Sequence, residues 1–236
     1  MNQFRIFIGC VTAFGALQTG TASAVTFSDS TFDLSNYTIN TFVSNQTVSE
    51  THIPVGGNPG AALEVTMILE TGPTYSGIYF LGKSFLYDPA TQGAIGSIDF
   101  SQDVFAESTL PFSQLGQNPI IYQNGNYYGH FTAVQPTADI WQTASASQLH
   151  STDFDLITSL ANSTHDESQH PNFAAGAMQL GFREGWSYGN APSIGVTDVL
   201  ADNYVLTLNP VPEPSASRLM LLGMLAFGGL RLRRSH

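Results

Sequence analysis

The chain is poor in cysteine and in basic residues. Its one cysteine, Cys10, lies in an apolar run near the N-terminus, which excludes a disulfide, a thiol nucleophile or a cysteine-based metal site in the rest of the chain. Seven Lys and Arg stand against 18 Asp and Glu, and between residues 25 and 210 only Lys83 and Arg183 are basic, so this segment carries a net charge of −15. Such an acidic surface repels phosphate backbones, which excludes ordinary nucleic-acid binding.

Residues 1–24 have the pattern of a secretory signal peptide. Arg5 supplies the positive start, Ile6–Leu17 the apolar stretch, and Ala22-Ser23-Ala24 the small residues of a cleavage site. The alternative is a buried first strand or helix. A lipoprotein signal at Cys10 would leave too short an inserted segment. We expect export, with the mature chain beginning at Val25.

The C-terminal residues 210–236 have three ordered features. Pro212-Glu213-Pro214 lacks two backbone N–H donors and favours an extended conformation at Glu213, so we expect a stiff, exposed segment. Residues 215–230 follow as an apolar stretch of about 24 Å if helical, close to a membrane span. The chain then ends in a basic cluster, which predicts a cytoplasmic C-terminus.

In this order of features, residues 211–234 resemble the PEP-CTERM sorting signal of exopolysaccharide-producing Gram-negative bacteria. The resemblance implies recognition by an exosortase, temporary anchoring in the inner membrane, removal of the tail and delivery to the cell surface or matrix. The residues that match the family pattern are Pro212, Glu213, Pro214, Arg231, Arg233 and Arg234. The alternative is that the apolar stretch is an ordinary core helix.

Between residues 25 and 209 the hydrophobic period is mostly two, as in β-strands. About ten short β-rich runs are separated by Gly, Pro and Asn groups, and Asn124-Gly125 is a strong hairpin signal. The spacing of Phe154, Ile157 and Leu160 favours one short helix over Thr152–Ala161. These patterns predict an all-β, two-sheet antiparallel β-sandwich with one short helix.

The turn segments of the body resemble those of a known family. Gly56–Leu63, Tyr87–Ile95 and the Gln123–Tyr127 hairpin followed by Trp141 are similar to segments of lectin-like jelly-roll domains of the concanavalin A or laminin-G type. The resemblance implies a lectin-like fold more than a function.

Motifs for catalysis are missing from the sequence. A glycoside hydrolase needs two facing carboxylates, and the nearest pair in one predicted strand, Asp99 and Asp103, fits surface positions better. No Gly-x-Ser-x-Gly elbow for a serine hydrolase is present. We therefore predict a protein without enzymatic activity and without a required cofactor.

A calcium site is the one metal prediction that the sequence supports. Asp153 and Asp155 offer oxygen ligands at a suitable spacing, and Asp166 or Glu167 could complete the shell. Acids in the first turn of the predicted helix are an equally simple explanation, because the helix dipole favours them there. The histidines in His165–His170 are five apart, which separates them around a helix and fits a solvated loop better than a zinc-protease motif.

Sugar binding is the third functional hypothesis, after catalysis and metal binding. Carbohydrate sites place aromatic rings against the C–H face of a sugar and amides near its hydroxyl groups. The candidates in predicted loops and hairpins are Tyr127, Trp186, Tyr188 and Asn190. For Trp186, a loop surface and the core are both open alternatives.

The sequence thus predicts an exported surface or matrix protein that binds or organises extracellular polysaccharide, with an exosortase, the polysaccharide and the inner membrane as its partners. Two alternatives stay open. One is a structural or adhesion protein that contacts other proteins, and the other is a secreted glycan hydrolase.

Changing the tail tests the sorting prediction. We expect Glu213→Ala, or deletion of residues 231–234, to retain the protein in the cell envelope, because either change removes a feature that the sorting signal requires. Cell fractionation of the producing bacterium measures this, with Glu70→Ala as a charge-matched control in the body. Unchanged surface delivery of both tail variants would contradict the prediction.

Overall fold

The computed structural model describes residues 23–107, 114–131, 133–134, 137, 139–160, 164–191 and 195–211. The predicted leader, and the tail with its Pro212, Glu213, Pro214, Arg231, Arg233 and Arg234, lie outside these residues apart from Ser23, Ala24, Pro210 and Val211. Within them, no helix has the length and apolar character needed to cross a membrane.

Buried and exposed side chains alternate along much of this part of the chain, and turns with Gly or Asn separate the strands that result. The strands are β1 (Val25–Asp29), β2 (Tyr37–Ser44), β3 (Gln46–Gly57), β4 (Gly60–Leu69), β5 (Gly72–Tyr87), β6 (Ile95–Ala106), β7 (Gln114–Gln123), β8 (Asn126–Gly129), β9 (Ala133–Val134), β10 (Gln142–Leu149), β11 (Asp155–Ser159), β12 (Thr164–Asp166), β13 (Met178–Ala191) and β14 (Gly195–Pro210). One α-helical turn, α1, covers Pro89–Gln92, and 3-10 turns cover Leu34–Asn36 and Ser151–Asp153.

The strands form two antiparallel sheets. The six-stranded sheet has the order β10-β6-β14-β4-β3, and β1 also pairs with β14. The eight-stranded sheet has the order β12-β11-β8-β7-β13-β5-β2, and β9 also pairs with β7. The predicted all-β class with two antiparallel sheets and one short helix is confirmed.

The core fills the space between the two sheets, and aromatic rings from both sheets meet there. Phe182 of β13 stacks on Phe80 of β5 with ring centroids 4.7 Å apart, and it lies 5.0 Å from the ring of Tyr204 in β14. All three side chains are fully buried. Rings of this size contribute much of the apolar area that holds two sheets together.

One local prediction is wrong. Residues 152–160 do not form the predicted helix: a 3-10 turn leads into β11, where Leu156 packs toward the core and Ile157 toward the opposite face. Because apolar side chains of this strand are covered on both faces, its hydrophobic residues do not alternate with a period of two. The β-rich runs Gly195–Val199 and Asn203–Leu208 are both strand and join into β14, with a register shift between Asp202 and Val205. The Asn124-Gly125 hairpin is confirmed, with both residues at positive φ.

A carboxyl group lies inside this core. Glu184 of β13 is 2% exposed, and its carboxyl accepts hydrogen bonds from the Gln102 amide of the opposite sheet, at 3.2 Å, and from the Gln117 amide of the neighbouring strand. Burial raises the pKa of Glu184 to about 8, although the charge of Arg183 and the bond from Gln102 act in the opposite direction. At neutral pH the carboxyl is therefore mostly protonated.

This shift predicts a pH-dependent stability. Between the unfolded pKa near 4.5 and the folded pKa near 8, the folded state holds the extra proton, so the free energy of unfolding falls as pH rises through this window. The slope is at most about 1.4 kcal/mol per pH unit for one group. Urea denaturation at pH 5, 6, 7 and 8 measures the loss.

Glu184→Gln should remove this part of the pH dependence, because the amide does not titrate. Glu70→Gln, at an exposed site, should leave the dependence as in the wild type. The assignment would be wrong if Glu184→Gln and the wild type lost stability in parallel over the same pH range.

Candidate functional site

The face of the eight-stranded sheet that points away from the core is called the outer face below. Small and large residues alternate across it. Tyr79 of β5 and Asn118 of β7 flank Arg183 in the central strand β13, as the register of the three strands requires. Glycines occupy neighbouring positions on all three strands, and these are Gly77, Gly116 and Gly185.

These glycines make a hollow for the guanidinium group of Arg183. A Cβ at Gly77 would lie 3.2 Å from its Nε, and one at Gly116 would lie 3.6 Å from its Nη1. A Cβ at Gly185 would collide with Nη1, Cζ and Nη2. Glycine inside a strand often marks such a close approach. The three positions therefore leave just enough room for one large cation on this face.

The hollow is closed from above. The guanidinium carbon lies 5.8 Å from the ring centre of Tyr79 and 5.9 Å from that of Phe131, within cation–π distance of both. Its Nη2 donates to the Ser76 carbonyl at 3.2 Å, and the Tyr79 hydroxyl donates to the Leu160 carbonyl at 3.1 Å. Arg183 is 5% exposed, so it stabilises the outer face and is not available to a ligand.

The outer face opens toward the β7–β8 hairpin, where two half-buried tyrosines stand together. The rings of Tyr122 and Tyr127 lie 4.9 Å apart, and Tyr127 also contacts Tyr79 at 5.2 Å. The Asn40 amide donates to the Tyr127 hydroxyl at 3.0 Å. Burial, with a smaller effect of Tyr122 and Tyr79, raises the pKa of Tyr127, so the phenol keeps its proton and can donate it to a ligand.

An open groove of about 340 Å³ adjoins Tyr122. Leu86, which is 57% exposed, and Gln179 of β13 stand beside Tyr122 in register, and Asn124 of the hairpin adds a second amide. The remaining lining residues come from α1 and its surroundings: Tyr87, Asp88, Gln92, Ala177 and Met178. The groove thus combines an aromatic ring, an aliphatic side chain and several amides, which is a chemistry suited to a sugar. It is called the tyrosine groove below.

Two other grooves in the described part of the chain lack this combination. One lies on the six-stranded sheet between Asp99, Ser145 and Thr207, where hydroxyl groups predominate and no aromatic ring stands beside an amide. The other surrounds Asp29, whose carboxylate already accepts from Thr31, Phe32 and Tyr37.

The structure separates the residues that the sequence suggested for sugar binding. Tyr127 lies in β8 and packs against Tyr122, which lines the tyrosine groove. Trp186 does not lie in a loop: it belongs to β13 and is 3% exposed in the core, so its ring cannot meet a ligand. The backbone of Tyr188 and Asn190 continues the same strand, and the structure does not describe the side chains of these two residues.

Tyr122, Asn40 and Gln179 were not among the binding residues predicted from the sequence. Tyr122 and Tyr127 flank the Asn124-Gly125 turn at paired positions, so the hairpin signal alone places them side by side on one face. Gln179 and Asn40 come from strands distant in sequence, and only the sheet order brings them to this face.

The residues suggested for calcium separate only in part. Asp153 accepts from the His150 backbone N–H at 2.7 Å and ends a 3-10 turn, and Asp166 is occupied by three hydrogen bonds from Ser168 and Gln169. Asp153 and Asp166 therefore have structural roles. Asp155 begins β11, and its carboxylate lies close to Glu167, as expected, and also to His165.

Asp99 and Asp103, considered above as a carboxylate pair, are engaged separately. Asp99 accepts from the Gln148 backbone N–H and the Asn209 amide, and Asp103 accepts from Thr143 and Asn203. Neither carboxylate is arranged for acid–base chemistry with the other.

No protein-family model and no curated protein matches this chain. Among solved structures, it is similar to a family 11 carbohydrate-binding module from Clostridium thermocellum in complex with a β-1,3-1,4-mixed-linked tetrasaccharide, with 14% identity, a TM-score of 0.48, and coverage of 80% of this chain and 98% of that one. It is also similar to a structure from work on promiscuous carbohydrate-binding modules of the β-sandwich superfamily, with 10% identity, a TM-score of 0.42, and coverage of 70% of this chain and 55% of that one.

A third similar structure is an exo-β-agarase, with 13% identity, a TM-score of 0.38, and coverage of 74% of this chain and 24% of that one. These likenesses supply no residue-level correspondence.

The glycine hollow predicts a specific coupling. Gly185→Ala should lower the free energy of unfolding by roughly 1–3 kcal/mol, because the added methyl group overlaps the Arg183 guanidinium in a closed space. Chemical denaturation measures the loss.

The double variant Gly185→Ala/Arg183→Met isolates the cause. Removing the guanidinium relieves the overlap, so the cost of Gly185→Ala should be much smaller in the Arg183→Met background than in the wild type. Equal costs in the two backgrounds would mean that the glycine serves another purpose.

Proposed function

We propose that this protein is a non-enzymatic carbohydrate-binding module whose ligand is an uncharged polysaccharide held in the tyrosine groove. The observation that carries the proposal is the half-buried pair Tyr122 and Tyr127 on the outer face, flanked by the amides of Asn40, Gln179 and Asn124.

The chemistry of a sugar ring matches this arrangement. A pyranose has an apolar face of C–H groups that packs on an aromatic ring, while its hydroxyl groups need donors and acceptors at the edge. The Tyr122 ring and Leu86 supply the apolar surface. The Gln179 and Asn124 amides, together with the Tyr127 hydroxyl, supply the polar groups.

The charge distribution supports an uncharged ligand. The only basic side chains between residues 25 and 210 are Lys83, which donates to the Ser35 carbonyl at 2.8 Å, and Arg183, which is buried. Asp88 lines the groove, and the segment as a whole carries −15. A polymer rich in uronic acids or sulfate would be repelled, whereas a neutral glycan would not.

We also propose that the protein acts outside the cytoplasm. The signal-peptide pattern of residues 1–24 and the PEP-CTERM-like tail support export, handling by an exosortase at the inner membrane, and delivery to the cell surface or matrix. A groove for polysaccharide is consistent with that destination.

Single substitutions test the groove. Tyr122→Ala should weaken binding to a neutral polysaccharide by roughly tenfold, because it removes the stacking surface, which is worth about 1.4 kcal/mol. Tyr127→Ala should also weaken binding, because it removes the hydroxyl donor and the ring that lies 4.9 Å from Tyr122. Affinity electrophoresis against a panel of neutral and uronic-acid polysaccharides, followed by calorimetry on the best ligand, measures the change.

Trp141→Ala is the matched control. Trp141 packs on Phe105, with ring centroids 5.6 Å apart, away from the outer face, so its removal should leave binding unchanged. Absence of binding to every neutral glycan, or equal losses in Trp141→Ala and Tyr122→Ala, would overturn the proposal. Preferred binding to an acidic glycan would overturn the part that concerns charge.

A further inference from the structure

The last two strands of the eight-stranded sheet carry a cluster of metal-ligating side chains away from the tyrosine groove. Ligand atoms of Asp155, His165 and Glu167 all lie within 4.8 Å of one another. The His165 Nε2 atom is 3.6 Å from the Glu167 Oε1 atom and 3.9 Å from the Asp155 Oδ2 atom. We propose that these three side chains form a binding site for a zinc-like divalent transition-metal ion.

Backbone pairing sets the spacing of the cluster. In the β11–β12 hairpin, Leu156 is opposite Asp166 and Ile157 is opposite His165. Glu167 follows β12 directly and lies in a turn, where the Gln169 N–H donates to the Asp166 carbonyl at 3.3 Å and the Leu156 N–H donates to the Gln169 carbonyl at 3.0 Å. The start of β11, the strand β12 and the turn after it therefore bring the three ligands together without any change in the fold.

The distances fit a small tetrahedral ion. Zinc binds His nitrogen and carboxylate oxygen at about 2.0–2.2 Å, which puts two ligand atoms about 3.3–3.5 Å apart at a tetrahedral centre. The 3.6 Å and 3.9 Å separations from His165 approach this value and require side-chain shifts of a few tenths of an ångström. The two carboxylates lie within 4.8 Å of each other, so this pair would have to close by at most about 1.3 Å. Three protein ligands would leave a fourth position for water or for an oxygen of another molecule.

The neighbours of Asp155 favour a cation at this place. Within the part of the chain that the structure describes, its carboxylate accepts no hydrogen bond, and its polar neighbours are His165 and, at 3.8 Å, His170. Residues 150–170 contain Asp153, Asp155, Asp166 and Glu167 and no Lys or Arg. This negative charge has no basic residue near it in sequence, and a divalent ion would compensate for it.

The chemical types of the three side chains indicate which metal ion would bind. Imidazole together with carboxylate suits zinc and its first-row neighbours, whereas calcium prefers six to eight oxygen ligands. His170 does not belong to the group of ligand atoms that lie within 4.8 Å of one another. Its Nδ1 atom lies 2.9 Å from the Phe154 carbonyl and 3.8 Å from Asp155, so His170 is a neighbour of the site. The sequence-based expectation of calcium therefore gives way to a transition metal.

His165 is held in place by its stacking on Phe131, with ring centroids 4.9 Å apart and planes inclined by 23°. Phe131 in turn covers Arg183. A metal bound at His165 would fix the β11–β12 edge and, through Phe131, the cover of the glycine hollow.

Metal titration of the purified full-length protein, after treatment with EDTA, tests the proposal. We expect one Zn²⁺ per chain by calorimetry, a rise in melting temperature on adding Zn²⁺ but not Ca²⁺, and visible absorption bands of a four-coordinate ion with Co²⁺. Asp155→Asn and His165→Ala should each weaken zinc binding by roughly 10–100-fold or more. Loss of a residue that only supports a metal ligand already lowers metal affinity by about this factor.

Two controls make the outcome specific. His52→Ala removes an exposed histidine of β3 in the other sheet and should leave zinc binding unchanged. Asp155→Asn keeps the shape of the side chain, so circular dichroism like that of the wild type will show that the fold is retained. Zinc binding unaffected by Asp155→Asn and His165→Ala, equal losses in His52→Ala, or a preference for Ca²⁺ would overturn the proposal.

Discussion

The central strand β13 determines the arrangement of both faces of its sheet. It pairs with β5 on one side and β7 on the other over most of its length. Because side chains alternate along a strand, Phe182 and Glu184 point into the core while Arg183 points to the outer face. A shift of one residue would place the arginine between the sheets and the phenylalanine outside, so this register is strongly determined.

The two charged residues at the centre of β13 show how the protein tolerates buried polar groups. Burial disfavours both charges, and each group has a different compensation. Glu184 is surrounded by amides and holds its proton, whereas Arg183 lies between aromatic rings in a space that glycines provide. The outer face is therefore rigid near Arg183, and the tyrosines next to it stand on a fixed support. A preformed surface loses little entropy when a ligand binds.

Much of the fold could be predicted from the period of two in many strands and from the Gly, Pro and Asn turns between them. The prediction failed where local spacing or flanking residues imitated another structure. In β11 both faces are covered, so the spacing of Phe154 and Ile157 imitated a helix. Around Trp186, the glycines in the sequence favoured a loop. Gly185 instead lies inside β13, where its lack of a side chain leaves room for Arg183. At the tyrosine groove, the hairpin indicated Tyr127, while Asn40 and Gln179 required knowledge of which strands are neighbours.

The pairing of β1 with β14 has a mechanical consequence. Val25, at the start of β1, lies opposite Leu208, near the end of β14, so the first and the last strand of the sandwich have their ends side by side. A force that pulls these two ends apart acts on the hydrogen bonds between β1 and β14 one after another. The other strands of the sheet carry almost none of this force. Under tension this strand would peel away first, while the opposite sheet with its tyrosine groove stayed intact.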